Sequence, residues 1–360
     1  VAAEIMVQTS LYPDVEYTFT HALLREVAHD SLTRARRVEA HRRILAAIEA
    51  HHSERLPEQA AWMAHHAAEG ELWEVAAVHQ GQAADRALAR GSYVEAIGGL
   101  RAALDSFERS SHPRGAAERA IDQLRTLRAL LYATAADPAE INTTLARAEE
   151  LARGIDDRVR LAWVWADQSS QAWVEGDNRR AIAVARSSLE IAEEAADLRL
   201  RALALFRLGL GLYAVGDYVG AVEALGRSCD ILSGELKAER IGTAGATSVL
   251  GGGYLVVALC ELGRFEEANQ RLAQAIAAAA AARDLYSIAA AQMARCMLAI
   301  ARSDVATAIP ALEALLGGAR SAGIVAVTIY LETLLGRAKF IAGDVAGAIE
   351  LLSEKEETAS

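Results

Sequence analysis

Three cysteines and nine histidines are the residues of this 360-residue chain that could form a nucleophile with its base. Such catalysis needs the two side chains within hydrogen-bonding reach of each other. The last histidine is His112, whereas Cys229, Cys260 and Cys296 lie far downstream of it, with no CxxC pair among them. We interpret the cysteines as reduced, small core residues of a cytoplasmic protein. The sequence therefore predicts no catalytic residues.

Two adjacent histidine pairs, His51-His52 and His65-His66, raise the question of metal binding. Neighbouring residues on a helix point to different faces, so neither pair chelates an ion on its own. No cysteine or carboxylate completes a known zinc spacing around them. Packing and solvation explain both pairs, and the sequence predicts no metal site.

His21 and Arg25 are the residues best placed to meet an anion. Val15, Tyr17 and Phe19 alternate with polar residues, which predicts a short strand, and a helical segment starts directly after His21. Backbone amides at such a helix start attract anions, and Arg25 lies one turn further on the same face. The alternative is that His21 only caps or packs this junction.

Five arginines, Arg34, Arg36, Arg37, Arg42 and Arg43, form a basic cluster after that helix. Nucleic acid or phosphate could bind such a cluster, but the net charge of -11 opposes nucleic-acid binding by the whole chain. A solvated helix face, or a dock for the acidic surface of a neighbouring domain, explains the cluster better. Nucleic acid is not an expected partner.

The elements that must position these residues are helices arranged in a repeat. A tight turn and a small residue on the helix after it recur along the chain, as in Gly216-Asp217-Tyr218-Val219-Gly220-Ala221. The small position falls at Ala96, Ala181, Ala221, Ala268, Ala308 and Ala348, with a degraded copy at Ala136 to Ile141. Seven units therefore follow one another at a period near 40 residues. A segment at Gly234–Gly242 accounts for the one unit of 47, since 268 − 221 = 47.

Each residue type in the turn has a physical role. Glycine adopts the left-handed conformation that ends one helix, and aspartate can cap the next. The small residue lies where two helices cross closely. The first helices, such as Leu203–Val215 and Leu250–Leu262, are apolar nearly all round, which predicts burial on both sides.

This pattern resembles the tetratricopeptide repeat (TPR). One unit carries large and small residues at that family's positions: Leu205, Leu208, Gly209, Leu212, Ala221 and Leu225. Trp165 and the pair Leu335-Gly336 match in other units, whereas Gln168-Ser169 and Arg295-Cys296 depart from the pattern. The long period is similar to that of maltose-regulator-type bacterial transcription activators. The resemblance spans roughly residues 71–352 and implies an all-α, right-handed superhelix of helix pairs.

The N-terminal segment resembles a different module. The stretch from Tyr17 to Ala28, the Arg36 to His41 stretch and Ala64-His65-His66 look like the junction after the NTPase module of bacterial STAND-type ATPases. There the end of a winged helix passes into TPR-like repeats. The likeness is greatest to proteins that also carry a class III adenylate/guanylate cyclase domain, with large LuxR-type regulators as the alternative. It divides the chain into 1–56, 57–110 and 111–360.

The resemblance implies that ATP or ADP and Mg²⁺ bind in the parent NTPase, where His21 and Arg25 would sense the nucleotide. This chain has no GxxxxGK[ST] phosphate loop and no paired-aspartate cyclase signature, so we expect no cofactor here. Because the chain starts with Val1, we expect a fragment of a larger protein. The apolar run Ala275–Ala282 is too short to span a bilayer, so no membrane association is expected.

The first helices of stacked pairs line the concave surface of such an array, which predicts a binding groove. Its expected lining is unusually apolar and aromatic. It comprises Trp163, Ser170, Trp173, Phe206, Leu210, Tyr213, Val257, Met293, Met297, Tyr330, Arg337 and Phe340. Methionine and aromatic side chains suit adaptable recognition. The alternative is that tight curvature closes the groove and makes these residues core.

We therefore expect a non-catalytic regulatory module that binds a protein segment or small effector in its groove and signals to the neighbouring NTPase and its cyclase output. The sensor arm of a LuxR-type activator is one alternative. A structural scaffold that sets a homo-oligomer is another. An enzyme with a hidden site lacks the required cluster of titratable groups in the groove.

Overall fold

The computed structural model of the chain describes residues 6–10, 16–51, 59–243, 245–321 and 325–353. The chain forms two compact units, Val1–Ala116 and Ala117–Ser360. The predicted division into 1–56, 57–110 and 111–360 stays a prediction.

The first unit begins with a two-stranded antiparallel sheet of β1 (Met6–Ser10) and β2 (Glu16–Phe19), in which Met6 lies opposite Phe19. The strand predicted around Tyr17 is confirmed, although Val15 lies outside the described residues, and β1 was missed. Five helices follow: α1 (Ala22–Asp30), α2 (Arg34–His51), α3 (Ala60–Glu69), α4 (Trp73–Ala89) and α5 (Tyr93–Glu108).

Twelve further helices follow within the described part of the chain. They are α6 (Arg114–Ala133), α7 (Pro138–Gly154), α8 (Arg158–Val174), α9 (Asn178–Glu194), α10 (Leu198–Ala214), α11 (Tyr218–Ile231), α12 (Thr247–Glu261), α13 (Phe265–Ala282), α14 (Leu285–Ala301), α15 (Val305–Ser321), α16 (Val325–Ile341) and α17 (Val345–Ser353). Along the chain they continue the pairing that α4 and α5 begin. The seven predicted units correspond to the seven pairs from α4–α5 to α16–α17.

The predicted chemistry of the repeat is confirmed at its turns. Gly216 has a φ of +83°, a conformation that is strained for residues with a β-carbon. The Asp217 carboxylate after it accepts a hydrogen bond from the Gly220 amide at 2.9 Å and so caps α11. The small residue Ala221 is fully buried on α11.

The close helix crossing is also confirmed. A β-carbon on Gly209 of α10 would lie 2.5 Å from Leu225 Cγ of α11, so the two helices approach more closely there than an alanine allows. Helix α10 is buried all round from Ala202 to Leu212, as its apolar sequence predicted. It forms the centre of the largest apolar cluster of the second unit.

The segment inserted between α11 and α12 folds against the first helices. A short 3-10 helix, Gly234–Ala238, is followed by extended chain in which Ile241 is buried. The Ile241 amide donates to Thr247 Oγ1 at 2.9 Å, and Glu239 pairs with Arg199 of α10 at 2.7 Å. The insertion is therefore an ordered part of the unit.

The predicted all-α, TPR-like fold of helix pairs is confirmed. The assignment of the N-terminal segment to a winged helix stays a prediction, since two strands and one helix do not establish that module. None of the helices in the described ranges has the length and apolar character needed to cross a membrane.

Candidate functional site

The first helices of the second unit line one face of the repeat. Helices α8, α10, α12, α14 and α16 contact one another in that order, and the second helices pack behind them. The predicted groove residues on this face differ in exposure. Ser170, Phe206, Leu210 and Val257 are buried, Trp163, Trp173, Tyr213, Met293, Met297 and Tyr330 are partly buried, and Arg337 and Phe340 are exposed.

Tyr254 of α12 brings three of the predicted aromatic residues together. Its ring centroid lies 6.1 Å from that of Trp173, 6.3 Å from that of Tyr213 and 6.5 Å from that of Phe206. Edge-to-face and tilted pairs at such distances are favourable. The sequence prediction chose Val257, one turn later on the same helix, and missed Tyr254.

Further tyrosines approach the same region. Burial raises the pKa of the Tyr254 phenol, and the nearby Tyr330, Tyr132 and Tyr286 raise it further. Burial likewise raises the pKa of Tyr213 to about 12. The phenols are therefore neutral at physiological pH.

The other predicted groove residues lie towards α14 and α16. Met293, Met297 and Tyr330 pack against an apolar cluster of these helices, and the Tyr330 hydroxyl contacts Met297 Sδ at 3.7 Å. Phe340 has 64% of its surface exposed. The predicted groove residues are thus buried or partly buried from α8 to α14, and exposed only on α16.

A cluster of buried charges lies beside the aromatic residues. Arg125 of α6 donates from Nε to Asp167 Oδ2 of α8 at 2.7 Å, and its guanidinium covers the ring of Trp163 at 4.7 Å. Arg128, one turn along α6, is only 4% exposed. Its Nη2 donates to the backbone oxygen of Asp167 over 3.4 Å.

Arg207 of α10 is the third cation of this cluster. It is 7% exposed, and its Nη2 donates to the backbone oxygen of Gly242 in the insertion at 2.9 Å. Burial lowers the pKa of Arg207 to about 10, and the charge of Arg128 lowers it further, whereas Asp167 raises it. The guanidinium is still charged at neutral pH.

The charges in this cluster do not balance. Of the three guanidinium groups, only that of Arg125 pairs with a carboxylate, that of Asp167, whereas Arg128 and Arg207 donate to backbone oxygens of the described residues. The Nε atoms of Arg128 and Arg207 are buried and have no hydrogen-bond partner among the described residues. A buried donor without a partner costs about 1–3 kcal/mol, and more when it is charged. The arrangement would favour an anionic group with two acceptor oxygens.

Sequence reasoning missed this cluster although a signal was present. Arg207 is the only charged residue between Arg201 and Tyr213 of the apolar helix α10. A charge that interrupts such a helix must have a buried partner or a function. Arg128 gave no comparable signal because α6 carries several other arginines.

The N-terminal candidates are placed as follows. His21 precedes α1 as its N-cap residue, is exposed and makes no side-chain capping bond. The side chain of Arg25 lies outside the described residues. In the basic cluster, Arg34 pairs with Glu71 at 2.6 Å and Arg42 Nε donates to the Gly70 oxygen at 2.7 Å. Those two arginines tie α2 to the end of α3.

The cysteines carry no reactive thiolate. Cys260 and Cys296 are buried and Cys229 is partly buried, as predicted for small core residues. Burial raises the pKa of Cys229 to about 12 and that of Cys260 to about 11. A protonated thiol is a poor nucleophile.

No family model matches the chain. No curated protein is similar to it in sequence.

Solved structures share its fold. A Rap protein complexed with competence and sporulation factor is 12% identical, with a TM-score of 0.63 over 93% of this chain and 89% of that one. Aspartyl phosphate phosphatase F from Bacillus subtilis is 12% identical, with a TM-score of 0.62 over 81% and 72%. The Rap conjugation gene regulator of plasmid pLS20, in complex with the Phr* peptide, is 13% identical, with a TM-score of 0.57 over 78% and 77%. At these identities the likeness shows the TPR-like fold alone.

Proposed function

We propose that the chain is a non-catalytic regulatory module whose first-helix face binds an acidic protein segment. The observation that carries this proposal is the pair of buried guanidiniums, Arg128 and Arg207, beside the aromatic side chains. The Nε of each has no hydrogen-bond partner in the described part of the chain. A carboxylate of the bound segment would supply the missing acceptors. The aromatic residues around Tyr254 would contact its apolar side chains.

Energetics favour a carboxylate over a neutral group. Three cations against one anion leave an excess positive charge where water is largely excluded, and charges attract more strongly in such a medium. Arginine forks bind carboxylates through two parallel hydrogen bonds. A small acidic effector has the same charge, but the row of rings from Trp173 to Tyr330 suits an extended segment better.

The similar solved structures support this choice of ligand. One holds competence and sporulation factor and another holds the Phr* peptide. A fold of this kind therefore accommodates a bound peptide.

The test is selection from a random peptide library with the full 360-residue chain as bait. We expect acidic peptides to be enriched, and the R128Q/R207Q double variant to bind them at least about tenfold more weakly. The R227Q variant is the matched control, since Arg227 lies on α11 and pairs with Glu193 at 3.2 Å. Enrichment of peptides without carboxylates, or no enrichment, would contradict the proposal.

Stability separates binding from folding in this test. A buried donor without an acceptor lowers stability, so its removal is neutral or stabilising when no other buried group depends on it. We therefore expect R207Q to melt no lower than the unaltered chain. A lower melting temperature would mean that Arg207 has a structural role in the fold rather than a role in ligand binding.

For the output, we propose that binding is passed through the N-terminal segment to an NTPase and cyclase of the parent protein. The support is the junction-like sequence from Tyr17 to Ala28 and the position of His21 before α1. The sensor arm of a LuxR-type activator is the alternative, and a structural scaffold that sets a homo-oligomer is a third role. Purification of the native protein discriminates these roles. An attached P-loop ATPase and cyclase would support the first, and an attached DNA-binding domain would support the second. An oligomer without regulated output would support the third.

A further inference from the structure

Three imidazole rings meet between α2 and α3 of the first unit. His41 of α2 approaches His65 and His66 of α3, with ring centroids 5.7 and 5.0 Å away, and the latter two rings are 5.2 Å apart. One ring nitrogen from each residue lies within 4.8 Å of the other two. His41 and His66 are buried, whereas His65 is exposed.

Helix packing rather than local sequence creates this triangle. Adjacent histidines on α3 cannot close on one ion alone, but α2 crosses them and places His41 against both. The crossing is held by an apolar cluster that includes Leu45 and Met63. The hydrogen bond from Arg42 Nε to the Gly70 oxygen holds the end of α3 against the same helix.

The rings of His41 and His66 are both largely shielded from solvent. Burial lowers the pKa of His66 to about 4, and the neighbouring rings His41 and His65 lower it further, whereas Glu69 raises it. Burial also lowers the pKa of His41.

One nitrogen–nitrogen distance is close to that of a zinc site, and the other two are within 4.8 Å. Zinc–nitrogen bonds of about 2.0–2.1 Å in a tetrahedron place ligand nitrogens roughly 3.3 Å apart. His41 Nδ1 and His66 Nδ1 are 2.9 Å apart, so small rotations of these rings accommodate an ion. The exposed His65 can turn towards them.

We propose that His41, His65 and His66 bind a divalent transition-metal ion with the preferences of Zn²⁺. Water completes the coordination. Such an ion would fasten α2 to α3. Since it does not involve the second unit, the proposal is independent of segment binding.

The test is a Co²⁺ titration of the full chain after treatment with a chelator, followed by displacement with Zn²⁺. We expect one Co²⁺ per chain, with the intense visible absorption of a four-coordinate ion, and loss of that absorption on adding Zn²⁺. The H41Q variant should lose the signal. The H79Q variant is the control, because His79 on α4 hydrogen-bonds Gln82 outside the cluster.

A second variant keeps the test decisive if H41Q fails to fold. His65 is exposed, so H65Q leaves the packing intact and should weaken Co²⁺ binding at least about tenfold. Absence of the visible band in the unaltered chain, or an unchanged affinity in folded H65Q, would overturn the proposal. Equal loss in H79Q would also overturn it, because binding would then be adventitious.

Discussion

At the scale of single residues, Arg207 shows a conflict between folding and binding. It is the one charged side chain in the buried stretch Ala202–Leu212 of α10, and its Nε has no hydrogen-bond partner among the described residues. Desolvating a charge costs several kcal/mol unless it is fully paired. The backbone oxygen of Gly242 compensates only part of this cost. A residue that lowers stability in this way is typical of binding sites.

Trp173 and Phe340 decide whether the aromatic face is core or surface. Trp173 packs against the main apolar cluster and the ring of Tyr254, so W173S should lower the free energy of unfolding by about 2–4 kcal/mol. Phe340 is 64% exposed, so F340S should change it by less than about 0.5 kcal/mol. Urea unfolding followed by circular dichroism measures both.

The same pair of variants also reports on binding. If the face continues as a groove to α16, F340S weakens binding of a selected peptide while the fold stays intact. Equal losses of stability in the two variants would show that the face is closed throughout.

At the scale of elements, the insertion between α11 and α12 supports the charged cluster. Thr247 is fully buried and accepts the Ile241 amide hydrogen bond at 2.9 Å, and its hydroxyl contacts that of Thr243 at 2.8 Å. These bonds fix the chain next to Gly242, whose oxygen meets Arg207. The insertion thus contributes a backbone acceptor to the charged cluster.

The T247V variant tests this role. Valine has the same shape but leaves the buried Ile241 amide without an acceptor, so the free energy of unfolding should fall by about 1–3 kcal/mol. The T247S variant keeps the hydroxyl and serves as the control. Chemical denaturation measures the difference. Equal stability of T247V and the unaltered chain would mean that the insertion is only loosely attached.

The helix pairs could be predicted from the sequence because their signals are local. Gly216, Asp217 and Ala221 each act within a few residues of the turn, and the same residue types return at the next unit. The site could be predicted only in part. A helix that is apolar all round, such as α10, has no face that periodicity can identify, so Tyr254 and Arg207 were missed. The sequence did not predict that His41 lies beside His65, because only the crossing of α2 and α3 brings the two residues together.

At the scale of the whole chain, the effect of a substitution on stability depends on where its helix pair lies in the repeat array. Units of such an array contact mainly their neighbours, so a local defect spreads through few interfaces. Helix α10 packs against four helices, namely α8, α9, α11 and α12. Among the described residues, α17 packs mainly against one helix, α16. An equivalent change at the two places should therefore have different consequences.

Gly209 and Gly336 occupy equivalent positions of two units and provide this comparison. A β-carbon on Gly209 would lie 2.5 Å from Leu225 Cγ, and one on Gly336 would lie 3.0 Å from Leu352 Cγ. We expect G209A to lower the global free energy of unfolding by about 1–3 kcal/mol, because α10 cannot move away from its neighbours. In G336A, α17 can shift or fray, so the global value should change by less than about 0.5 kcal/mol. Urea unfolding gives the global values, and amide hydrogen exchange should show faster exchange confined to α17 in G336A. Equal global losses in the two variants would show that the 360-residue chain unfolds as one cooperative block rather than as an array of neighbouring units.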